Sequence, residues 1–144
     1  MPIRIVLADD HPIVLAALDD LFSSEPDFTV VARCYTGAEA LDALRRQPVD
    51  VLVLDFRMPG LDGLGVLRAM AQEKLTTAVA LYTVGLDGAQ MQEAIRLGAR
   101  GLVLKEMPPR LLVDCVRAVH AGQNCLETTP AVASALRERS ATHS

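Results

Sequence analysis

Five short, almost uninterrupted apolar runs alternate with segments of helical periodicity, and no other feature of the chain constrains the fold as strongly. The runs are Ile3 to Ala8, Thr29 to Cys34, Val51 to Leu54, Ala78 to Tyr82 and Gly101 to Leu104. A strand that is apolar along its whole length has both faces covered, as happens in a parallel sheet flanked by crossover helices. Between the runs, Val14, Leu18, Leu21 and Phe22 fall on one helical face. Leu112, Cys115, Val116 and Val119 make a second such stripe, stopped by Gly122. Thr36 and Glu39 have capping-box spacing, and further helices are expected from Leu64 to Glu73 and from Ala89 to Leu97. The fold class is therefore α/β, and 144 residues suit one domain with a substantial core.

Composition excludes several functions. The formal charge is −4 and no basic block is present, so this segment is not expected to grip DNA through its phosphates. No apolar run approaches the roughly 18 residues of a membrane helix. The N-terminal run meets Asp9 too soon for a signal peptide, so a cytoplasmic protein with no membrane partner is expected. Cys34, Cys115 and Cys125 form no Cys-x-x-Cys pair and read as reduced thiols. The polar stretch 123–144 reads as a linker or tail, with room for one short helix over Pro130 to Arg139.

Ligands in an open parallel sheet gather at the carboxyl ends of the strands. Here the first strand ends in Asp9-Asp10, the third in Asp55, the fourth in Thr83 and the fifth in Lys105. Each residue alone has an ordinary structural explanation, such as helix capping or surface exposure. Together, three carboxylates and one ammonium leave an excess of negative charge that a divalent cation would neutralise. Oxygen ligands with open positions suit Mg²⁺ or Mn²⁺, and phosphoryl chemistry follows, with Asp55 as the acceptor. Asp62, by contrast, is placed to cap the third helix. His11, His120 and His143 show no ligand spacing and are read without a metal role.

Asp9-Asp10, the stretch Leu54-Asp-Phe-Arg-Met-Pro-Gly-Leu-Asp-Gly63, Thr83 and Lys105 closely resemble the receiver domains of two-component response regulators. Ala8-Asp-Asp-His11-Pro12 and Ala118-Val-His-Ala-Gly122 are similar to the NarL/LuxR-type subgroup. The resemblance implies a flavodoxin-like, doubly wound (βα)5 fold with a five-stranded parallel sheet in the order 2-1-3-4-5. The receiver would occupy 1–122 and a linker or tail 123–144. Asp55 would accept a phosphoryl group from a sensor histidine kinase, and the receiver itself would catalyse that transfer and the later hydrolysis. Asp10 and Asp55 would bind Mg²⁺ directly, Asp9 through water, and Arg57 through its backbone carbonyl. Thr83 and Lys105 would contact the phosphoryl oxygens. The output would be a conformational signal relayed to a DNA-binding domain that the chain does not contain, and homodimers would be compatible with it.

Two positions, Leu102 and Val84, depart from the family pattern. The switch pairs Thr83 with an aromatic residue on the fifth strand, but that position holds Leu102. Val84 stands where a small residue is usual and would be expected to narrow access to the phosphoryl site. Arg57 and Gly85 occupy variable positions that tune hydrolysis. The alternative function is a single-domain or atypical receiver acting as an interaction module without phosphorylation. A flavodoxin-like nucleotide enzyme is opposed by the lack of a glycine-rich phosphate loop after the first strand. An aspartyl phosphatase is opposed by Arg57 at the place of the second aspartate in its Asp-x-Asp motif.

Overall fold

The apolar runs become the strands of one parallel sheet in a computed structural model that describes residues 2–126. In chain order the elements are β1 (Ile3–Ala8), α1 (Pro12–Ser23), β2 (Phe28–Cys34), α2 (Gly37–Arg46), β3 (Val51–Leu54) and α3 (Gly63–Glu73). They continue with β4 (Ala78–Thr83), α4 (Gly88–Arg96), β5 (Gly101–Leu104), α5 (Pro109–His120) and β6 (Cys125–Leu126). The strand order is β2-β1-β3-β4-β5-β6, the doubly wound order 2-1-3-4-5 with one added edge strand. That strand was not expected, because 123–144 read as linker. Cys125 and Leu126 pair with Gly101 and Leu102 on an edge of β5 that would otherwise present unpaired backbone groups. The short helix expected over Pro130 to Arg139 lies outside the described residues, as does His143.

Strand alternation splits the core into two layers. Leu52, Leu54, Leu81 and Leu102 belong to a buried cluster with Leu41, Leu44, Val66, Leu67, Met91 and Ile95 of α2, α3 and α4. Ile5, Leu7, Val51, Val53 and Val103 face the other way, toward Leu15, Leu18 and Phe22 of α1 and Leu112 and Val116 of α5. The α1 stripe centres on Leu15, Leu18 and Phe22, leaving the expected Val14 and Leu21 half-buried at its margins. Phe22 meets Phe28 edge to face at a centroid distance of 5.1 Å, which ties α1 to β2.

The starts of α2, α3 and α4 are fixed by side chains that satisfy orphan amides. Asp62 accepts from Gly65 N (2.9 Å) and Thr36 from Glu39 N (3.1 Å). Glu39 completes its cap on the Tyr35 amide (3.3 Å) and the Thr36 hydroxyl (3.2 Å) rather than on the Thr36 amide of a full capping box. Asp87 and Gln90 form the reciprocal box at α4. Among the described residues, no helix is long and apolar enough to cross a membrane.

All three cysteines are reduced thiols, with Cys34 and Cys115 buried and Cys125 half-buried. Burial, and then the charges of Glu39 and Asp42, push the Cys34 thiol up to about 11. A thiol reagent applied to the native protein at pH 8 should therefore modify Cys125 and spare Cys34 and Cys115 until denaturant is added. Peptide mass mapping checks this result, and native labelling of Cys34 would contradict the packing of β2 against α2.

Candidate functional site

Parallel strands bring their carboxyl ends to one edge, and the backbone ladder continues one residue past three of them. Asp9 N donates to Cys34 O (3.0 Å), Asp55 N to Ala8 O (2.9 Å) and Lys105 N to Thr83 O (2.8 Å). The residues that follow β1, β3 and β5 are thus held by the sheet itself, and their side chains inherit its rigidity. Asp9 is 1% exposed, Asp55 3% and Thr83 0%, the three buried polar side chains of the described structure.

Charge pairing holds these groups together. Lys105 Nζ lies 2.7 Å from Asp9 Oδ2 and 3.2 Å from Asp55 Oδ2. On the other side of the cluster, His11 Nδ1 lies 3.2 Å from Asp9 Oδ1 and 3.1 Å from Asp10 Oδ1. Burial, and then the neighbouring Asp9 charge, raise the Asp55 pKa, and Lys105 only partly offsets them. Burial works against the Lys105 ammonium too, but the hydrogen bond to Asp9 and the charges of Asp55 and Asp9 outweigh it and hold its pKa above the ordinary value. One ammonium therefore serves two buried carboxylates and leaves one of them uncomfortable.

Two observations test whether a divalent cation fits. Carboxylate oxygens of Asp9, Asp10 and Asp55 and a ring nitrogen of His11 all lie within 4.8 Å of one another, close enough to share one ion. At about 4 Å, two like charges repel by about 4 kcal/mol at an effective dielectric of 20, which a doubly positive ion would reverse. In addition, the buried Thr83 hydroxyl oxygen has no hydrogen-bond partner. A buried hydroxyl without a partner calls for an external one, such as a ligand oxygen. The acidic cluster therefore fits a receiver magnesium site.

Asp9, Asp10, Asp55, Thr83 and Lys105 come together at the carboxyl edge of the sheet, and Arg57 lies in the loop beside them. Arg57 donates its amide to Asp55 Oδ1 (3.2 Å) and its guanidinium to Gly85 O (3.4 Å), linking the loop after β3 to the loop after β4. Val84 is 66% exposed, and Leu102 is already packed in the core at 1% exposure. His11 was missed as a member of the cluster. No ligand spacing marks it, because a residue directly after two aspartates reaches them through a turn and not along a helix or strand.

Residues 5–117 match the family model of the response regulator receiver domain. The chain belongs to that family. The receiver domain is 32% identical over 143 residues to the nitrate/nitrite response regulator protein NarL of Escherichia coli K12, covering 98% of this chain and 66% of the relative. It is 32% identical over 138 residues to the nitrate/nitrite response regulator protein NarP of the same organism, covering 96% and 63%. The chain thus spans about two-thirds of the length of these curated relatives. The crystal structure of a LuxR-family two-component response regulator from Aurantimonas sp. SI85-9A1 superposes with a TM-score of 0.85, at 30% identity and covering 98% of this chain and 99% of that one. The receiver domain is accordingly a component of a two-component system.

Proposed function

We propose that this receiver takes a phosphoryl group on Asp55 from the phosphohistidine of a sensor histidine kinase and relays a conformational signal to a DNA-binding output domain. The observation that carries this reading is the convergence of buried Asp9 and Asp55, half-buried Asp10 and Lys105 and a buried, unpartnered Thr83 hydroxyl at the strand ends. Asp9, Asp10, Asp55 and the Arg57 carbonyl would hold Mg²⁺ or Mn²⁺, whose chemistry is to neutralise charge at phosphoryl oxygens.

The chain's own residues supply the remaining steps. A carboxylate oxygen of Asp55 forms the new P–O bond as the P–N bond of the phosphohistidine breaks, its electron pair returning to the imidazole. Lys105 exchanges part of its contact with Asp55 for a phosphoryl oxygen, and the Thr83 hydroxyl donates to another. Hydrolysis later adds water at phosphorus, releasing inorganic phosphate and restoring the carboxylate. The receiver thus catalyses its own modification and its reversal.

The kinase would meet an apolar surface beside the site. Ile13, directly after the acidic turn, is 85% exposed, and with Val14, Ala17 and Pro109 it lines a shallow hollow. A cytoplasmic location belongs to this reading. So do a receiver spanning 1–122, a linker after it, and homodimerisation through helix faces. Thr83 and Leu102 remain the switch pair, with the difference that Leu102 is a buried aliphatic residue and offers no ring to rotate.

Incubation with Mg²⁺ and acetyl phosphate, followed by intact-mass measurement, tests the function. The parent should gain one base-labile phosphoryl group and Asp55→Asn none. Ile13→Asp should keep the reaction with acetyl phosphate but slow transfer from the kinase about tenfold or more, a scale typical of an interface anchor. If the parent stays unmodified by acetyl phosphate and by its kinase, the interaction-module alternative takes over.

A further inference from the structure

We propose that Cys115 and Cys125 are a redox modification site, which peroxide converts into a reversible disulfide that fastens β6 to α5. The pair lies where β5 begins, at the opposite edge of the sheet from Lys105 and the acidic cluster, so it stands apart from the function proposed above.

The fold brings the two sulfurs together. After α5 ends at His120, Gly122 at a φ of +88° turns the chain back, and Cys125 returns beside β5. Cys115 Sγ donates to the Cys125 carbonyl oxygen at 3.3 Å, so one sulfur already touches the backbone of the other cysteine. Strand register sets the direction of the second side chain. Cys125 pairs in parallel with Gly101, and residues paired in this way project to the same face. A Cβ built on Gly101 would lie 2.7 Å from Cys115 Sγ. The Cys125 Cβ stands on that face one strand spacing away, about 4.8 Å, and packs against the apolar layer that contains Cys115. Gly101 has no side chain to keep the two sulfurs apart. A disulfide needs its Cβ atoms about 3.5–4.5 Å apart, and a two-residue strand at the sheet edge can shift to close on α5.

Exposure divides the roles. Cys115 is 0% exposed and Cys125 half-buried, so peroxide meets Cys125 first. The Cys125 thiolate attacks a peroxide oxygen and the O–O bond breaks, giving a sulfenic acid and a hydroxide that takes up the thiol proton as water. The Cys115 sulfur then attacks the Cys125 sulfur, and the S–O bond breaks as the hydroxyl leaves with the Cys115 proton as a second water. In sum, two thiols lose two electrons and two protons, and peroxide is reduced to two waters. Without a resolving thiol in reach, Cys125 would instead oxidise further to sulfinic acid, which thiols do not reverse.

The bond changes how β6 is held. In the reduced protein that strand rests on the pairing of Cys125 and Leu126 with Gly101 and Leu102 and on the Cys115 contact. With the disulfide in place it can leave the sheet only by pulling on α5, so local opening is suppressed.

Oxidation of the native full chain with hydrogen peroxide, followed by alkylation and intact-mass measurement, tests the proposal. The parent should lose two hydrogen atoms, dithiothreitol should restore them, and peptide mapping without reductant should join Cys115 to Cys125 while Cys34 stays reduced. In the oxidised protein the Cys125 and Leu126 amides should exchange with deuterium about tenfold or more slowly. Cys125→Ser should form no disulfide. Cys115→Ser, whose hydroxyl can keep the bond to the Cys125 carbonyl, should leave a Cys125 sulfenic acid that dimedone traps. Sulfinic acid on Cys125 beside a reduced Cys115, disulfide-linked dimers through Cys125, no oxidation at either residue, or a Cys115–Cys125 link that forms only in denaturant would each overturn the proposal. Because the parent alone gives the deciding map, the result does not depend on either variant folding.

Discussion

Lys105→Met should destabilise the protein in EDTA by about 3 kcal/mol, while Asp55→Asn should stabilise it, although both changes should damage the proposed phosphorylation. The opposite signs come from the same ion pairs. Asp55 has a folded pKa raised first by burial and then by Asp9. Between its unfolded and folded pKa values the folded chain keeps a proton that the unfolded chain has lost, so stability falls as pH rises through that window. At neutral pH the Asp55 carboxylate is a net cost. For Lys105 the raised folded pKa means stabilisation that is fully present at neutral pH and lost only as pH rises through that folded value. Removing the ammonium leaves Asp9 and Asp55, at 1% and 3% exposure, without their cation. Removing Asp55 leaves Lys105 still paired with Asp9 at 2.7 Å.

Urea unfolding at pH 7.5 measures both effects, and millimolar Mg²⁺ should reverse their order by stabilising the parent more than Asp55→Asn. Combining the two substitutions should recover part of the Lys105→Met loss, because the two sites are coupled. Phosphorylation runs the other way. Asp55→Asn should abolish it, and Lys105→Met should slow it by about 100-fold, the scale of losing one charged donor at a developing oxyanion. A destabilised Asp55→Asn protein in EDTA would show that the carboxylate is a structural partner, not a strained group held ready for a ligand.

How much of this was legible in the sequence depends on whether a feature has a pattern. Strands buried on both faces leave continuous apolar runs, so Val51 to Leu54 and Gly101 to Leu104 could be bounded to the residue. A parallel sheet then dictates that residues following such runs share an edge, so Asp9, Asp55, Thr83 and Lys105 could be grouped without coordinates. Features made by tertiary contact alone were not legible. The two residues of β6 carry no periodicity, and their strand exists because β5 offers a free edge. The reach of Arg57 to the Gly85 carbonyl, and of His11 to two carboxylates, depends on turn geometry that residue types do not specify. Which oxygen of Asp9 each basic side chain takes is likewise a matter of direction and not of spacing.

The glycines that open three helices make the same point with a measurable outcome. Gly37, Gly63 and Gly88 are each the first residue after the N-cap, at α2, α3 and α4, and none carries a positive φ. With no positive φ, the backbone at all three would accept alanine, with a gain of roughly 0.4–1 kcal/mol through reduced freedom of the unfolded chain where there is space for the Cβ. Only Gly88 has the space, with nothing within 4 Å of an added Cβ. At Gly37 that carbon would run into Leu61 O and meet Val66 Cγ2 at 2.8 Å, and at Gly63 it would meet Phe56 Cα at 2.8 Å. Both sites press on the loop between β3 and α3, whose Phe56 and Met58 are buried and whose Arg57 amide holds Asp55. Gly37→Ala should therefore cost about 2–3 kcal/mol, the range of overpacking against backbone that cannot yield, whereas Gly88→Ala should be neutral or stabilising. Because the displaced loop also positions Asp55, Gly37→Ala should slow phosphorylation by acetyl phosphate under conditions where the variant remains folded, and Gly88→Ala should not. Equal stabilities for the two alanine variants would mean that the loop after β3 does not rest against the start of α2, and that Asp55 is held by the sheet alone.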